Sequence, residues 1–262
     1  MHQADWLGFL LHGQLGVSDY HNALKLGYDV AALTYPDWLT ASSVAPYLPQ
    51  VRAPGAVIGP IQPLCLAAWG LHFPAHCQIH AGTTDSIAAF LASGAQHPGE
   101  AVTSLGSTLV LKLLSTTAVN HSPSGIYSHR LGNCWLVGGA SNTGGAVLQQ
   151  FFSGAELQQL SAQIPADQPS PLDYYPLLAP GERFPINDPH LPPRLTPRPT
   201  DDCAFLHGLL EGMARIEAQG YAHLQALGAS ALTQVYTAGG GAQNSVWQQI
   251  RHRQLCVPIA PS

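Results

Sequence analysis

The period of the apolar residues changes several times along the chain, and each change marks an element. Residues 1–13 read as a helix, with Trp6, Leu7, Leu10 and Leu11 at helical spacing, broken by Gly13-Gln14-Leu15-Gly16. Ser18 or Asp19 then suits the cap of a short helix. Tyr35-Pro36-Asp37-Trp38 reads as a surface turn leading into an amphipathic piece, and residues 45–63 as loop with short strands. Cys77 to Ala81 reads as a short buried strand, and Ser86 to Leu91 as a packed helix that ends at Gly94. Four short segments rich in strand formers follow, Ala101 to Leu105, Thr108 to Leu114, Ile126 to His129 and Cys134 to Gly138. The pattern predicts a domain boundary between them and the preceding helix, giving domains 1–93 and 94–262.

Past the fourth strand, Ser141 or Asn142 suits the N-cap of a helix running to Phe151. Residues 164–200 are proline-rich, but apolar and aromatic residues are interleaved throughout, so an ordered segment is expected. A long helix covers 203–227, with Phe205, Leu209, Leu210, Met213, Ile216 and Leu224 on one face. Val235-Tyr236-Thr237 is a strand, Ala238 to Asn244 a glycine loop, Val246 to Arg253 a helix and Leu255 to Ile259 a closing strand.

Composition narrows the partners. Of 262 residues, 46% are apolar and only 10% charged, which points to extensive buried surface. The net charge of -5 argues against nucleic acid or an anionic membrane as partner. Five scattered cysteines, Cys65, Cys77, Cys134, Cys203 and Cys256, form no Cys-x-x-Cys pair, as in a reduced intracellular chain. No signal segment or bilayer-spanning run is legible, so a cytoplasmic location is expected. His72, His76 and His80 are spaced by four, but Pro74 interrupts them; scattered ordinary histidines are favoured over a zinc site, and no metal ligand is assigned.

Candidate chemistry concentrates in four places. Gly82-Thr83-Thr84-Asp85-Ser86 puts a carboxylate where a strand gives way to a helix, a position from which it can take a proton from a bound hydroxyl; it is equally placed to cap the helix. Ser104-Leu105-Gly106-Ser107-Thr108 lies between two strands, as a turn offering N–H groups to phosphate or as an ordinary hairpin. Gly144 and Gly145 allow close approach at a helix start, by a ligand or by a packed neighbour. Gly239-Gly240-Gly241, between strand and helix, has the geometry of a nucleotide approach, though a glycine run also makes simple turns. It lacks the spacing and the following acidic residue of a dinucleotide fingerprint.

Six blocks in this order resemble the FGGY-type carbohydrate kinases, the group of glycerol, xylulose and ribulose kinases, and within it the plant and cyanobacterial D-ribulose kinase-like proteins. The blocks are Gln3 to Leu7, Val17 to Asp29, Ala81 to Ser86, Ser104 to Thr108, Gly181 to Pro185 with Asn187 to Pro189, and Gly239 to Trp247. The resemblance implies an α/β chain with the actin-like ATPase (ribonuclease H-like) fold, using ATP and Mg²⁺ to phosphorylate a small sugar, D-ribulose or a related ketopentose favoured. On it, Asp85 matches the general base, Ser86 and Tyr20 face the sugar, and Gly106, Ser107 and Thr108 match a phosphate turn. Gly145 matches a glycine near the nucleotide, Gly240, Gly241 and Asn244 match the adenosine motif, and Trp247 is placed beside the purine. The family's Asp-x-Gly-Thr phosphate turn and its closing helix are not found in this sequence. The resemblance is therefore to a fragment: the end of a first, sugar-binding domain and most of a second, nucleotide-binding one. A non-catalytic nucleotide- or partner-binding remnant is the alternative.

Overall fold

The structure is a computed structural model that describes residues 2–62, 67–70, 72–74 and 76–262; Cys65 lies outside the described residues. The chain divides into two compact units, Met1–Ala89 and Phe90–Ser262.

In the first unit, helix α1, Gln3–His12, opens with a capping box: the His2 N–H donates to the Asp5 carboxylate at 2.9 Å. It closes on Gly13 in the left-handed region. Its apolar residues do not form a buried stripe; Trp6 and Leu7 are half exposed. The helix is tied instead through Asp5, which also accepts from the Ser18 hydroxyl at 2.8 Å. Ser18 belongs to β1, Val17–Asp19, which pairs in parallel with β2, Gln50–Arg52. Asp19 caps α2, Tyr20–Ala23, and α3 spans Asp37–Thr40. Strand β3, Val57–Pro60, pairs antiparallel with β4, Gln78–His80. Four unstructured residues then lead into α4, Asp85–Ala92.

The second unit is a six-stranded mixed sheet. Its strands are β5 (Glu100–Leu105), β6 (Leu109–Ser115), β7 (Tyr127–Leu131), β8 (Cys134–Ser141), β9 (Gln234–Ala238) and β10 (Ile259–Pro261). The spatial order is β10-β9-β5-β6-β8-β7. β10, β9 and β5 run parallel, while β6 and β8 alternate in direction beside β5 and β7 runs antiparallel to β8. Alternation sets the buried face: Leu109, Leu111 and Leu113 of β6 point into the core. Each contributes roughly 1.5–3 kcal/mol by burial.

Four helices complete the unit: α5 (Gly145–Gln149), α6 (Gly154–Ser161), α7 (Asp202–Ala226) and α8 (Ser245–Leu255). α7 lies on the β6 face so closely that a Cβ at Gly220 would sit 2.5 Å from Leu111 Cδ1. Its expected apolar face is buried, but so are Leu206, His207 and Glu211 on other faces. The reason is the proline-rich segment, together with α8, whose Arg253 and Gln254 bond the Glu211 carboxylate. The proline-rich segment lays Tyr174, Leu177 and Phe184 into the core, and Arg215 of α7 donates to the Leu172 and Tyr174 carbonyls at 3.1 and 3.3 Å. The closing strand begins later than the sequence suggests. α8 runs through Leu255 and ends on Cys256 in the left-handed region, and only Ile259–Pro261 pairs with β9. The Cys256 N–H still bonds back to His252, so these residues belong to a helix cap.

Polar groups buried between the helices are paired. Arg251 of α8 forms a bidentate pair with Glu217 of α7 at 2.6 and 2.7 Å and donates to Thr237 of β9 at 2.8 Å. Thr103 of β5 donates to the same carboxylate at 2.5 Å. Nearby, Glu211 is fully buried and contacts Arg253, Gln254 at 2.8 Å and His207 at 3.6 Å. Burial alone would raise the Glu211 pKa, but these contacts more than offset it and hold the carboxyl down to about 2, from 4.5.

A depressed folded-state pKa contributes stability above the unfolded value that is lost as pH falls through the folded one. Wild type is therefore expected to exceed Glu211→Gln in unfolding free energy at neutral pH, by on the order of 3 kcal/mol. The gap should close as pH drops from about 4.5 toward 2. Urea melts of both proteins across that range check it, and a pH-independent gap would refute it.

Candidate functional site

Register brings one end of β5, β6, β8 and β9 to a common edge of the sheet. Leu105 faces Leu109, Leu109 faces Ser141, and Ser104 faces Ala238. The loops leaving that edge are Gly106–Thr108, Asn142–Gly144 and Gly239–Asn244. Ligands of α/β sheets bind outside the carboxyl ends of parallel strands, and β5 and β9 end here.

The three loops touch. The Gly145 and Ala146 N–H groups at the start of α5 donate to the carbonyls of Gly106 and Ser107, at 2.8 and 3.2 Å. The Leu109 N–H donates to the Thr143 carbonyl at 2.7 Å. A Cβ on Gly144 would lie 2.7 Å from the Ser107 oxygen, and one on Gly145 2.8 Å from the Gly106 oxygen. From the other side, a Cβ on Gly239 would lie 2.7 Å from the Leu105 oxygen, and one on Gly241 2.7 Å from Leu105 Cβ. No Cβ fits at these distances, so glycine is required at Gly144, Gly145 and Gly239 by the chain's own backbone and at Gly241 by the Leu105 and Trp247 side chains. Gly240 differs: it is exposed, with nothing within 4 Å of where its Cβ would stand.

The Gly106 N–H is used within its own turn, donating to the Thr108 carbonyl at 3.2 Å. Among the described residues, nothing pairs with the N–H or hydroxyl of Ser107 or Thr108. Two adjacent residues thus offer four donors in a turn where Ser107 is exposed. Such a set suits phosphate oxygens.

Residues 101–257 match the FGGY family of carbohydrate kinases, C-terminal domain. The chain belongs to the FGGY family of carbohydrate kinases. Its fold is the actin-like ATPase fold, α/β, as similar solved structures show. A xyloylose (xylulose) kinase from Brucella ovis aligns with TM-score 0.83 at 24% identity, over 98% of this chain and 54% of its own. A gluconate kinase from Lactobacillus acidophilus aligns at 0.81 and 19%, over 99% and 54%. A glycerol kinase from Plasmodium falciparum, solved with ADP, aligns at 0.81 and 15%, over 99% and 54%. The chain spans about half the length of these kinases.

Within this FGGY chain the predicted nucleotide-side residues fall as follows. Gly106, Ser107, Thr108, Gly240 and Gly241 stand in two of the three converging loops, and Gly145 opens α5 beside them. Asn244 is the N-cap of α8: its side-chain oxygen accepts the Trp247 N–H at 2.9 Å and its amide donates to Ser161 at 2.9 Å. Trp247 is 3% exposed and packs in the core of its unit, with its ring against Gly241. Ser141 and Asn142 do not cap α5, as the sequence suggests they would. Ser141 ends β8, and both residues donate to the Glu182 carboxylate, at 2.5 and 2.7 Å, while α5 starts only after Gly144.

In the first unit, the exposed Asp85 is the first helical residue of α4 rather than its cap. Thr84 holds the cap position, accepting from the Ala88 N–H at 2.9 Å. One Asp85 oxygen accepts the Ser86 N–H at 2.7 Å. Thr83, two residues before Asp85, hydrogen-bonds His21 Nδ1 at 2.7 Å, and the His21 ring stands edge-on to Tyr20 at 4.8 Å. Tyr20 and the Asp85 loop are therefore joined through one buried histidine, a link that the sequence does not signal. A cavity of ≈ 440 Å³ opens elsewhere in this unit, among Tyr28, Tyr35, Leu48 and Val51, and no predicted site residue lines it. Among the described residues, no three His, Cys, Asp or Glu side chains are grouped to hold a metal. His80 is exposed and bonds the Gly55 carbonyl at 2.7 Å.

The two kinds of glycine separate by mutation. Gly144→Ala adds a Cβ against immovable backbone at φ 147° and is expected to cost about 3 kcal/mol. Gly240→Ala should stay within roughly 0.5 kcal/mol of wild type. Denaturant melts measure both, and equal costs would contradict the packing account.

Proposed function

We propose that the chain takes part in ATP-dependent phosphorylation of a sugar hydroxyl, with D-ribulose or a related ketopentose as the favoured acceptor. The observation that carries this is the edge where three loops converge and leave the Ser107 and Thr108 donors unpartnered. Family membership supplies the reaction class, and ATP supplies the phosphoryl group that is transferred.

Asp85 is the general base. It takes the proton of the sugar hydroxyl as that oxygen attacks the γ-phosphorus and the bond to the ADP oxygen breaks. Tyr20 and Ser86 orient the sugar. Ser107 and Thr108 donate to phosphate oxygens, which gain negative character during transfer. Gly240 gives the nucleotide an approach free of side chains, and Gly241, Gly145 and Asn244 shape the loops around it. Trp247 supports that loop from beneath rather than stacking openly on the base. Magnesium enters as the counter-ion of the triphosphate, and no described side-chain cluster is assigned to it. The reading places the protein in the cytoplasm, where the nucleotide and the sugar are both available.

The test is a panel of ketopentoses and polyols assayed with ATP and Mg²⁺. Asp85→Asn is expected to lower kcat by about 10²–10⁴ with ATP affinity unchanged. Retained turnover would remove Asp85 from the role. The second reading is that the chain binds nucleotide without catalysing transfer. ATP binding with no transfer to any sugar would point to that reading.

A further inference from the structure

We infer that Glu182 is a positioning residue that aims the phosphate-binding turn, although it lies about 75 residues beyond that turn in the sequence. The inference rests on the reading of Gly106–Thr108 as a phosphate turn.

Glu182 is 2% exposed and has no cationic partner among the described residues. Its carboxylate is held by neutral donors instead. Oε2 accepts from the Ser141 hydroxyl at 2.5 Å and the Tyr175 hydroxyl at 3.2 Å. Oε1 accepts from the N–H groups of Asn142 at 2.7 Å and Arg183 at 2.9 Å. Burial and the adjacent Glu182 push the Tyr175 phenol up, which keeps it a donor. A buried carboxylate satisfied this way is worth keeping only if the groups it holds must stay in place.

Those groups lead to the turn in a few bonds. Ser141 Oγ, while donating to Glu182, accepts the Thr143 N–H at 3.1 Å. The Thr143 carbonyl takes the Leu109 N–H, and the next residues, Gly144 and Gly145, press on the turn. Gly145 and Ala146 then bind the carbonyls of Gly106 and Ser107. The peptide bond is planar and trans, so each C=O points opposite to the N–H of the following residue. Pinning the Gly106 carbonyl toward α5 turns the Ser107 N–H away from it. Pinning the Ser107 carbonyl does the same for the Thr108 N–H. Glu182 fixes the loop that pins both carbonyls, and so fixes the direction of both free N–H groups.

The experiment compares wild type with Glu182→Gln in the full chain. The glutamine places an NH₂ where one oxygen now accepts, so at least one bond of the set is lost. Amide exchange at Gly145 and Ala146, without nucleotide, is expected to speed up about tenfold, while exchange at Val235 of β9 stays unchanged. ATP affinity should fall about tenfold, the factor for one lost hydrogen bond to a charged group, with sugar affinity unmoved. Unchanged exchange at Gly145 and Ala146 overturns the inference, as does general speeding across the sheet. If Glu182→Gln does not fold, Ser141→Ala decides by the same exchange readout. Wild-type protein that binds no ATP overturns the kinase reading, and the exchange comparison then still decides the role of Glu182 in holding the turn.

Discussion

Everything at the working edge of the second unit depends on one exclusion of volume. The backbone from Leu105 to Thr108 occupies the space that side chains at Gly144, Gly145 and Gly239 would need. Two loops from distant parts of the sequence therefore rest directly on one hairpin turn, one from each side. The contact is backbone against backbone, so neither partner can yield by changing a rotamer. It also uses up the amide groups that open α5, which a glycine-rich helix start would otherwise present to a ligand. The donors left for a ligand belong to the hairpin turn itself.

Two buried carboxylates secure this arrangement by different physics. Glu217 is paired with Arg251 and ties α7 and α8 to β5 and β9 through Thr103 and Thr237. Such a pair repays its desolvation only when its remaining hydrogen-bonding positions are filled, and here threonine hydroxyls fill them. Removing one partner of a buried pair typically costs about 3–5 kcal/mol. Glu182 has no such pair and relies on hydroxyl and amide donors. The first carboxylate anchors the strand ends, and the second holds the loop that leaves the sheet beside them.

Much of this was legible in the sequence, for physical reasons. Strong periodicity located β5, β6, β8, α7 and α8. Glycines between strands and helices marked the loops that converge. The sequence could not say which body each glycine admits, because a ligand and a neighbouring backbone make the same demand for a missing Cβ. Gly240 and Gly82 have open space where a Cβ would stand, while Gly144, Gly145 and Gly239 meet backbone. Trp247 posed a similar ambiguity: an indole suits both a purine and a core, and burial places it in the core. Glu182 was visible only as part of a family block, because its partners lie about 40 residues away at Ser141 and Asn142. α7 carried an amphipathic signal but is covered on further faces by a proline-rich segment, whose packing no helical period can announce.

In the first unit, the role proposed for Asp85 sets a demand of its own. A residue that takes a proton from a substrate must be reachable, yet its oxygens must not wander. Asp85 is the residue proposed for that role, and its place in the chain is compatible with both conditions. It is exposed, but as the first residue of α4 its backbone is fixed by the helix that follows, and the Ser86 N–H holds one of its oxygens. The loop before it is fastened from the side by the His21 to Thr83 hydrogen bond, and His21 is itself 1% exposed. A carboxylate that only capped the helix would stand one position earlier, where Thr84 already serves. The cap position is therefore held by Thr84, and among the described residues the second Asp85 oxygen accepts no hydrogen bond.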